Sequence, residues 1–375
     1  HRDPLAGSVP RVSPITESPA ESRDFQNDLP LHPAAQELLH YFFDSAWPDP
    51  TKIHHRSSVL RNNLNTAREV IATHVGLNVS ELEIVGEIGF GFQIGLGGLT
   101  LDQDKELVIG ALDRQVIHGL ARLHSQRGGS VTVMEPDKQG EIDYQSFLSH
   151  RSSTMSWQAT NREIGVMQEP PSIDEQHSLF ADMTASFPLN RLPEYWDSAV
   201  WDPRSFGGPQ GIALVGISKR GKWRNPGPEI DKRRVYGSYS KPLLLATAVA
   251  LENSIKTAQS DMSKIEGLNQ FICSELQRTI PNIRIVRPHH RDPRFIAFVI
   301  DGVIAEEVLR AIENQGFLID AGSACGAGAL SPSHVLTSLG YPPDGNFRIT
   351  LKPHHSEADC AALVEALVKG IAASA

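Results

Sequence analysis

Cysteine is scarce in this chain: three residues, Cys273, Cys325 and Cys360, among 375. An odd count with no Cys-x-x-Cys pair supplies neither a disulfide framework nor a zinc site, so a reducing, cytoplasmic setting is the expectation. Basic charge is not in excess either. The 35 Lys and Arg stand against 44 Asp and Glu, a formal net charge of −9 at pH 7. Affinity for a phosphate backbone draws on a surplus of Lys and Arg, so this balance argues against a nucleic-acid partner. Long apolar runs are missing too. The most apolar, Pro242 to Leu251, is about half of the ~20 residues that crossing a bilayer takes, and no membrane partner is expected. The chain starts at His1 without the apolar core of a signal peptide, and no targeting is read into it.

What is present is the composition of a soluble globular protein, 40% hydrophobic and 21% charged, with length for one large domain and a smaller one. Residues 1–30 carry Pro4, Pro10, Pro14, Pro19 and Pro30 among Ser, Asp and Glu, and read as a flexible arm. From His32 onward the pattern changes. Leu38 to Phe43 make a short apolar element, Thr66 to Val75 reads as a helix, and Glu83–Val85, Leu107–Ile109, Val131–Val133, Leu179–Ala181 and Ile212–Val215 are short apolar runs separated by helix-length stretches. That alternation predicts an α/β domain with a mostly parallel sheet over residues 31–255. After a helical stretch from Lys241 to Ser260, the β-like segments Ile283–Val286, Phe295–Val299 and Phe347–Leu351 and the helices Ala305–Gln315 and Glu357–Ala372 predict a smaller α+β domain over residues 256–375. There is no internal repeat.

The segment richest in chemical signal is Asp320 to Val335. Small residues on both sides of Cys325 make a loop whose thiol could move to a substrate, and Ser331-Pro332 reads as a helix start. A small buried hydrophobe is the commoner fate of an isolated cysteine, and composition does not choose between the two.

The run from Gly322 through Gly328, followed by Leu330 to Leu336, resembles the mobile catalytic-cysteine loop of the cysteine desulfurases, the NifS/IscS-like branch of the class V aminotransferases. Further segments agree in the same order: Ala67 to Ala72 with the family's early helix, Thr160 to Gln168 with its Asn-Asn-Glu-Ile-Gly stretch, and Phe206 to Gly211 with the stretch after its Schiff-base lysine. The resemblance covers roughly residues 42 to 372. It implies a fold-type I architecture, a large sheet-centred cofactor domain with a small C-terminal domain, and a homodimer. It also implies pyridoxal phosphate held by a lysine, with the loop cysteine as nucleophile toward the substrate sulfur and a sulfur-acceptor protein as partner.

Carried over residue by residue, the resemblance gives Cys325 the nucleophile's position, and it matches Asp182 to the carboxylate facing the pyridine nitrogen. Asn161 falls where an asparagine faces the cofactor's phenolic oxygen, and Arg348 where an arginine holds the substrate carboxylate. Ser238 keeps a hydroxyl for the neighbouring subunit's cofactor phosphate. The departures concern the same pocket. Asp202-Pro203-Arg204-Ser205 stands where the family has Ser-x-His-Lys, so Ser205 holds the lysine's position with Arg204 beside it. A serine forms no aldimine, and no lysine occurs between Lys138 and Lys219. Lys219 and Lys222, in a basic turn with Arg220 and Arg224, read as solvated charges. The phosphate loop becomes Glu87-Ile88-Gly89, which brings a carboxylate toward the expected dianion. Asp113 falls at the position of the stacking histidine, and Ala185 at that of a glutamine.

No covalently held cofactor is therefore expected, although the resemblance implies pyridoxal phosphate. Three functions stay open: a binding, scaffold or regulatory partner in sulfur transfer; an enzyme that carries persulfide on Cys325, with or without non-covalent cofactor; and a pocket that takes another polar ligand or is filled by its own side chains. The adjacent pairs His54-His55, His289-His290 and His354-His355 diverge on a helix or strand, and no metal site is expected.

Overall fold

A computed structural model of the chain describes residues 20–26, 29–44, 48–148, 152–189, 191–228, 234–235, 239–321 and 333–374. Helix α1 (Pro33–Phe43) starts where Pro33 follows His32, whose Nδ1 accepts from the Ala34 N–H at 3.2 Å. Helix α2 (His55–Val75) stops at Gly76, which takes a left-handed φ of 80° that costs glycine nothing. Then follow β1 (Leu82–Val85), α3 (Ile88–Gly97), β2 (Glu106–Gly110), α4 (Gln115–Gln126), β3 (Val131–Met134), β4 (Ser153–Gln158), β5 (Ser178–Asp182), β6 (Ser198–Trp201), β7 (Ala213–Ile217) and the long α5 (Lys241–Thr279).

The strands form one sheet in the order β1-β7-β6-β5-β4-β2-β3. Only β7 runs against its neighbours, so β1 points the same way as β2 to β6. Helices cover both faces, as a mostly parallel sheet requires. On β5 the period of two puts Leu179 and Ala181 against the layer of α1, α2 and α5, and Phe180 against α3 and α4. Asp182, in step with Phe180, therefore leaves the strand on the α3–α4 side. Gly95 lets α3 lie this close: a Cβ there would meet the Phe180 ring at 2.7 Å.

Two central strands, β4 and β6, were not among the apolar runs of the sequence: Ser153, Thr154 and Ser156 interrupt β4, and β6 is only the four residues Ser198–Trp201. Two of their hydroxyls are satisfied inside the layer, Ser198 Oγ donating to the Gly95 carbonyl at 2.9 Å and Thr154 Oγ1 to that of Leu99 at 3.2 Å.

The small domain contains β8 (Ile283–Ile285), β9 (Phe295–Ile300), α6 (Ala305–Glu313), α7 (His334–Ser338), β10 (Asn346–Thr350) and α8 (Glu357–Ser374), with an antiparallel sheet in the order β10-β9-β8. The expected boundary at 255/256 falls inside α5. That helix continues to Thr279, burying Pro242 to Leu251 in the large core and Ile265 to Leu276 in the small one. The N-terminal arm also ends earlier than its composition suggests. Phe25 is fully buried in the small-domain core and stacks on His355 with ring centroids 4.0 Å apart. Among the described residues no helix is long and apolar enough to cross a membrane.

Candidate functional site

Because β1, β2, β4, β5 and β6 all point one way, their carboxyl ends share one edge of the sheet, the place where open α/β sheets collect ligand groups. Asp182 ends β5 there and is buried. Its Oδ1 accepts from the Thr184 N–H at 3.0 Å and the Thr184 hydroxyl at 2.6 Å, and its Oδ2 accepts from Arg114 Nε at 3.1 Å. Arg114 is the residue just before α4. The Asp182 carboxylate is thus neutralised by a guanidinium from its own chain.

Sequence reasoning singled out Asp113 and missed Arg114 beside it. The Asp113 side chain turns the other way, into the protein, where Oδ2 accepts from the Gly110 N–H at 3.1 Å. Its Oδ1, the Tyr144 hydroxyl and the Ser156 hydroxyl are buried without a hydrogen-bond partner. Burial raises the Asp113 pKa to about 7; the nearby Asp182 charge adds to the rise, and the Gly110 N–H opposes it. The only signal in the sequence was that an arginine directly precedes α4, one position from the residue chosen.

Asn161 is buried and fully engaged. Its Nδ2 donates to the Leu112 carbonyl and to Gln158 Oε1, both at 2.9 Å, while Oδ1 accepts from the N–H groups of Glu163 at 2.9 Å and Ile164 at 3.2 Å. It ties the turn after β4 to the turn after β2.

After β6, Asp202 caps the helical turn Pro203–Phe206, accepting from the Arg204 N–H at 3.1 Å and from the Arg204 side chain. Ser205 donates its hydroxyl to the Asp202 carbonyl at 2.8 Å. At the start of α3, Glu87 is the cap. Its two oxygens accept from the Gly89 N–H at 2.8 Å and the Phe90 N–H at 2.9 Å. A carboxylate from the chain itself thus takes up the first N–H groups of α3, the kind of helix end that attracts anions. A Cβ at Gly89 would lie 2.9 Å from that carboxylate.

From the small domain, Arg348 on β10 pairs with Asp320, with Nε 3.1 Å from Oδ2. Cys325 and Ser238 lie outside the described residues; the stems of the cysteine loop do not. Asp320 holds one stem to Arg348. On the other, Ser333 donates to Glu163, and His334 donates from Nε2 to the Asp113 carbonyl at 2.8 Å while its Nδ1 accepts from Gln115 at 2.9 Å. The loop therefore leaves and re-enters the fold beside Asn161, Arg114 and Arg348.

Sequence reasoning looked for a lysine near Ser205 in the chain and found none. In space, Lys352 lines the same interdomain cavity as Ser205, with its Nζ donating to the Asp24 carbonyl at 2.8 Å and 3.2 Å from the Asp24 carboxylate. Lys219 is exposed, and Lys222 donates to the Glu175 carbonyl at the surface.

No family model matches the sequence. Individual relatives do. Cysteine desulfurase IscS of Dictyoglomus turgidum is 22% identical over 357 residues, covering 90% of each chain. Cysteine desulfurase of Sinorhizobium fredii is 24% identical over 348 residues, covering 86% of this chain and 89% of its own. Among solved structures, a NifS-like protein superposes with a TM-score of 0.82 at 17% identity, covering 92% of this chain and 98% of its own. The NifS-like protein from Rickettsia africae gives 0.77 at 19%, covering 93% and 99%. Over most of its length the chain is thus similar to proteins named cysteine desulfurase, and it is built on the NifS-like fold.

Proposed function

We propose that this desulfurase-like chain has given up covalent pyridoxal phosphate chemistry and acts as a binding or scaffold partner in sulfur transfer. The observation that carries this reading is the Arg114–Asp182 ion pair. Bound pyridoxal phosphate would supply an electron sink anchored by an aldimine lysine, a carboxylate facing its ring nitrogen, and a phosphate cradle. The residues present do not fit it. Ser205 offers no amine and its hydroxyl is already donating, the Asp182 carboxylate already has a cation, and Glu87 already occupies the helix N-terminus. A phosphate brought within about 4 Å of the Glu87 carboxylate meets a repulsion on the order of 4 kcal/mol per unit charge at a partly exposed site. The chain carries its own cation and its own anion at the two charged anchor points of the cofactor.

The test is absorbance of the purified protein with and without added pyridoxal phosphate. Only the free-cofactor spectrum is expected, and it is removed by dialysis. A protein-bound aldimine band that survives dialysis and is abolished by borohydride overturns the proposal.

A second reading keeps the thiol in use, with Cys325 carrying persulfide. It is favoured by the two loop stems, both tied to the edge of the site through Asp320–Arg348 and His334–Asp113. Mass spectrometry after incubation with a persulfide donor is expected to find one added sulfur on Cys325. A mass equal to that of the Cys325→Ser control removes this reading.

A further inference from the structure

The N-terminal stretch that composition marks as a flexible arm bonds to both domains. At the small domain its backbone joins Leu318 and the end of β10. The Phe25 N–H donates to the Leu318 carbonyl at 2.8 Å, the Leu318 N–H to the Arg23 carbonyl at 3.0 Å, and the Thr350 N–H to the Phe25 carbonyl at 2.7 Å. Side chains lock the same residues. The Asp24 carbonyl accepts from Lys352 Nζ at 2.8 Å and from His355 Nε2 at 3.2 Å, and Lys352 Nζ lies 3.2 Å from the Asp24 carboxylate. Lys352 is only 2% exposed, so little water competes for its ammonium.

At the large domain, the His32 N–H donates to the Gly207 carbonyl at 2.8 Å. Gly207 ends the helical turn that holds Ser205, with a left-handed φ of 73°, and a Cβ on it would lie 3.2 Å from the Pro30 carbonyl oxygen. The arm therefore passes directly over that turn. Leu29 lines the interdomain cavity together with Ser205 and Lys352. What the other anchor holds is a stem of the cysteine loop. Two residues beyond Leu318, the Asp320 N–H donates to the Arg348 carbonyl at 3.0 Å and the Arg348 N–H to the Asp320 carbonyl at 2.8 Å, with the two side chains paired as well. A continuous set of backbone bonds thus runs from Gly207 through the arm to Leu318, and from its neighbour Asp320 to Arg348.

We infer that the arm is an interdomain strap that couples the turn of Ser205 to the stem at Leu318–Asp320, so that loosening either anchor loosens the other. Phe25 and His32 are only seven positions apart in the chain. With one of them held, the other is confined close to its own partner, and most of the entropy of fixing it has already been lost. Such a coupling is reciprocal. It does not depend on the fate of the cofactor, since every contact in it belongs to the chain. Glu21 and Arg23 are exposed, so the strap puts a control point for the pocket on the protein surface.

Hydrogen–deuterium exchange of the full chain, read by fragmentation mass spectrometry, tests this with one variant at each anchor. Lys352→Met removes the ammonium that holds Asp24. His32→Pro removes the N–H bonded to Gly207, at a residue whose φ of −57° suits proline. Each variant raises exchange at its own anchor whether or not there is a strap. The strap requires a response at the far anchor too: at least threefold faster exchange of the Phe25 and Leu318 amides in His32→Pro, and of the His32 amide in Lys352→Met, with β4 and β5 unchanged. Phe25→Leu, which keeps an apolar side chain in the small-domain core, replaces Lys352→Met if that variant loses protection throughout. Faster exchange confined to the altered anchor, in the variant of either anchor, overturns the strap.

Discussion

Asp113→Asn isolates the energetic cost of a buried carboxyl directly behind the candidate site. Asp113 is 1% exposed, and burial lifts its pKa from 3.8 to about 7. At about 1.4 kcal/mol for each tenfold change in proton affinity, that displacement corresponds to about 4 kcal/mol. The folded state holds this proton more tightly than the unfolded state. Folding therefore takes up a proton between about pH 4 and pH 7, and stability falls as pH rises through that window. Below 3.8 the carboxyl is protonated in both states and costs nothing; above about 7 the full penalty is present. Asparagine cannot titrate, yet it retains an oxygen to accept from the Gly110 N–H. The stability difference between Asp113→Asn and wild type is expected to move by about 3 kcal/mol in favour of the variant from pH 4 to pH 7. Other titrating groups, including His355 with its pKa lowered to about 4 by burial, are present in both proteins and cancel in this difference. Urea unfolding followed by tryptophan fluorescence in a series of buffers measures it. A difference that stays constant within about 1 kcal/mol across the window would refute the burial argument.

Arg114→Leu leaves the buried Asp182 without its cation and is expected to cost about 3 kcal/mol, the low end for a broken buried pair because Arg114 is 25% exposed. Adding Asp182→Asn should recover most of the loss in thermal unfolding; an additive double variant would show that the two charges do not interact. Cys273 and Cys360 are buried, with thiol pKa values pushed up by burial, that of Cys360 to about 12. Ellman's reagent at neutral pH is expected to titrate no more than one thiol per native chain and all three after unfolding. Two or more rapidly reacting native thiols would contradict the burial of this pair.

Much of the fold was legible because the chain states it locally. The runs at β1, β2, β3, β5 and β7 are apolar, and the periodicity of α2, α6 and α8 matches the helices observed. β4 and β6 escaped because their neighbours, rather than their own composition, make them strands: Ser153–Gln158 and Ser198–Trp201 are flanked on both sides, and Thr154 and Ser198 satisfy their hydroxyls inside the layer. The length of α5 also escaped, since its polar middle joins two cores that sequence reading treated separately.

The site divides along the same line. Which residue types stand at the positions the resemblance points to was read from the sequence: Asp182, Asn161, Ser205 and Arg348 can be read without coordinates, and so can the absence of lysine between Lys138 and Lys219. Which of them have already been claimed was decided by tertiary structure alone. Arg114 reaches Asp182 across 68 positions of chain, Arg348 meets Asp320 across 28, and Lys352 shares a cavity with Ser205 although neither lies near the other in sequence. The physical reason is that an ion pair depends on distance and burial, and a folded chain sets both between residues whose separation in sequence carries no record of them.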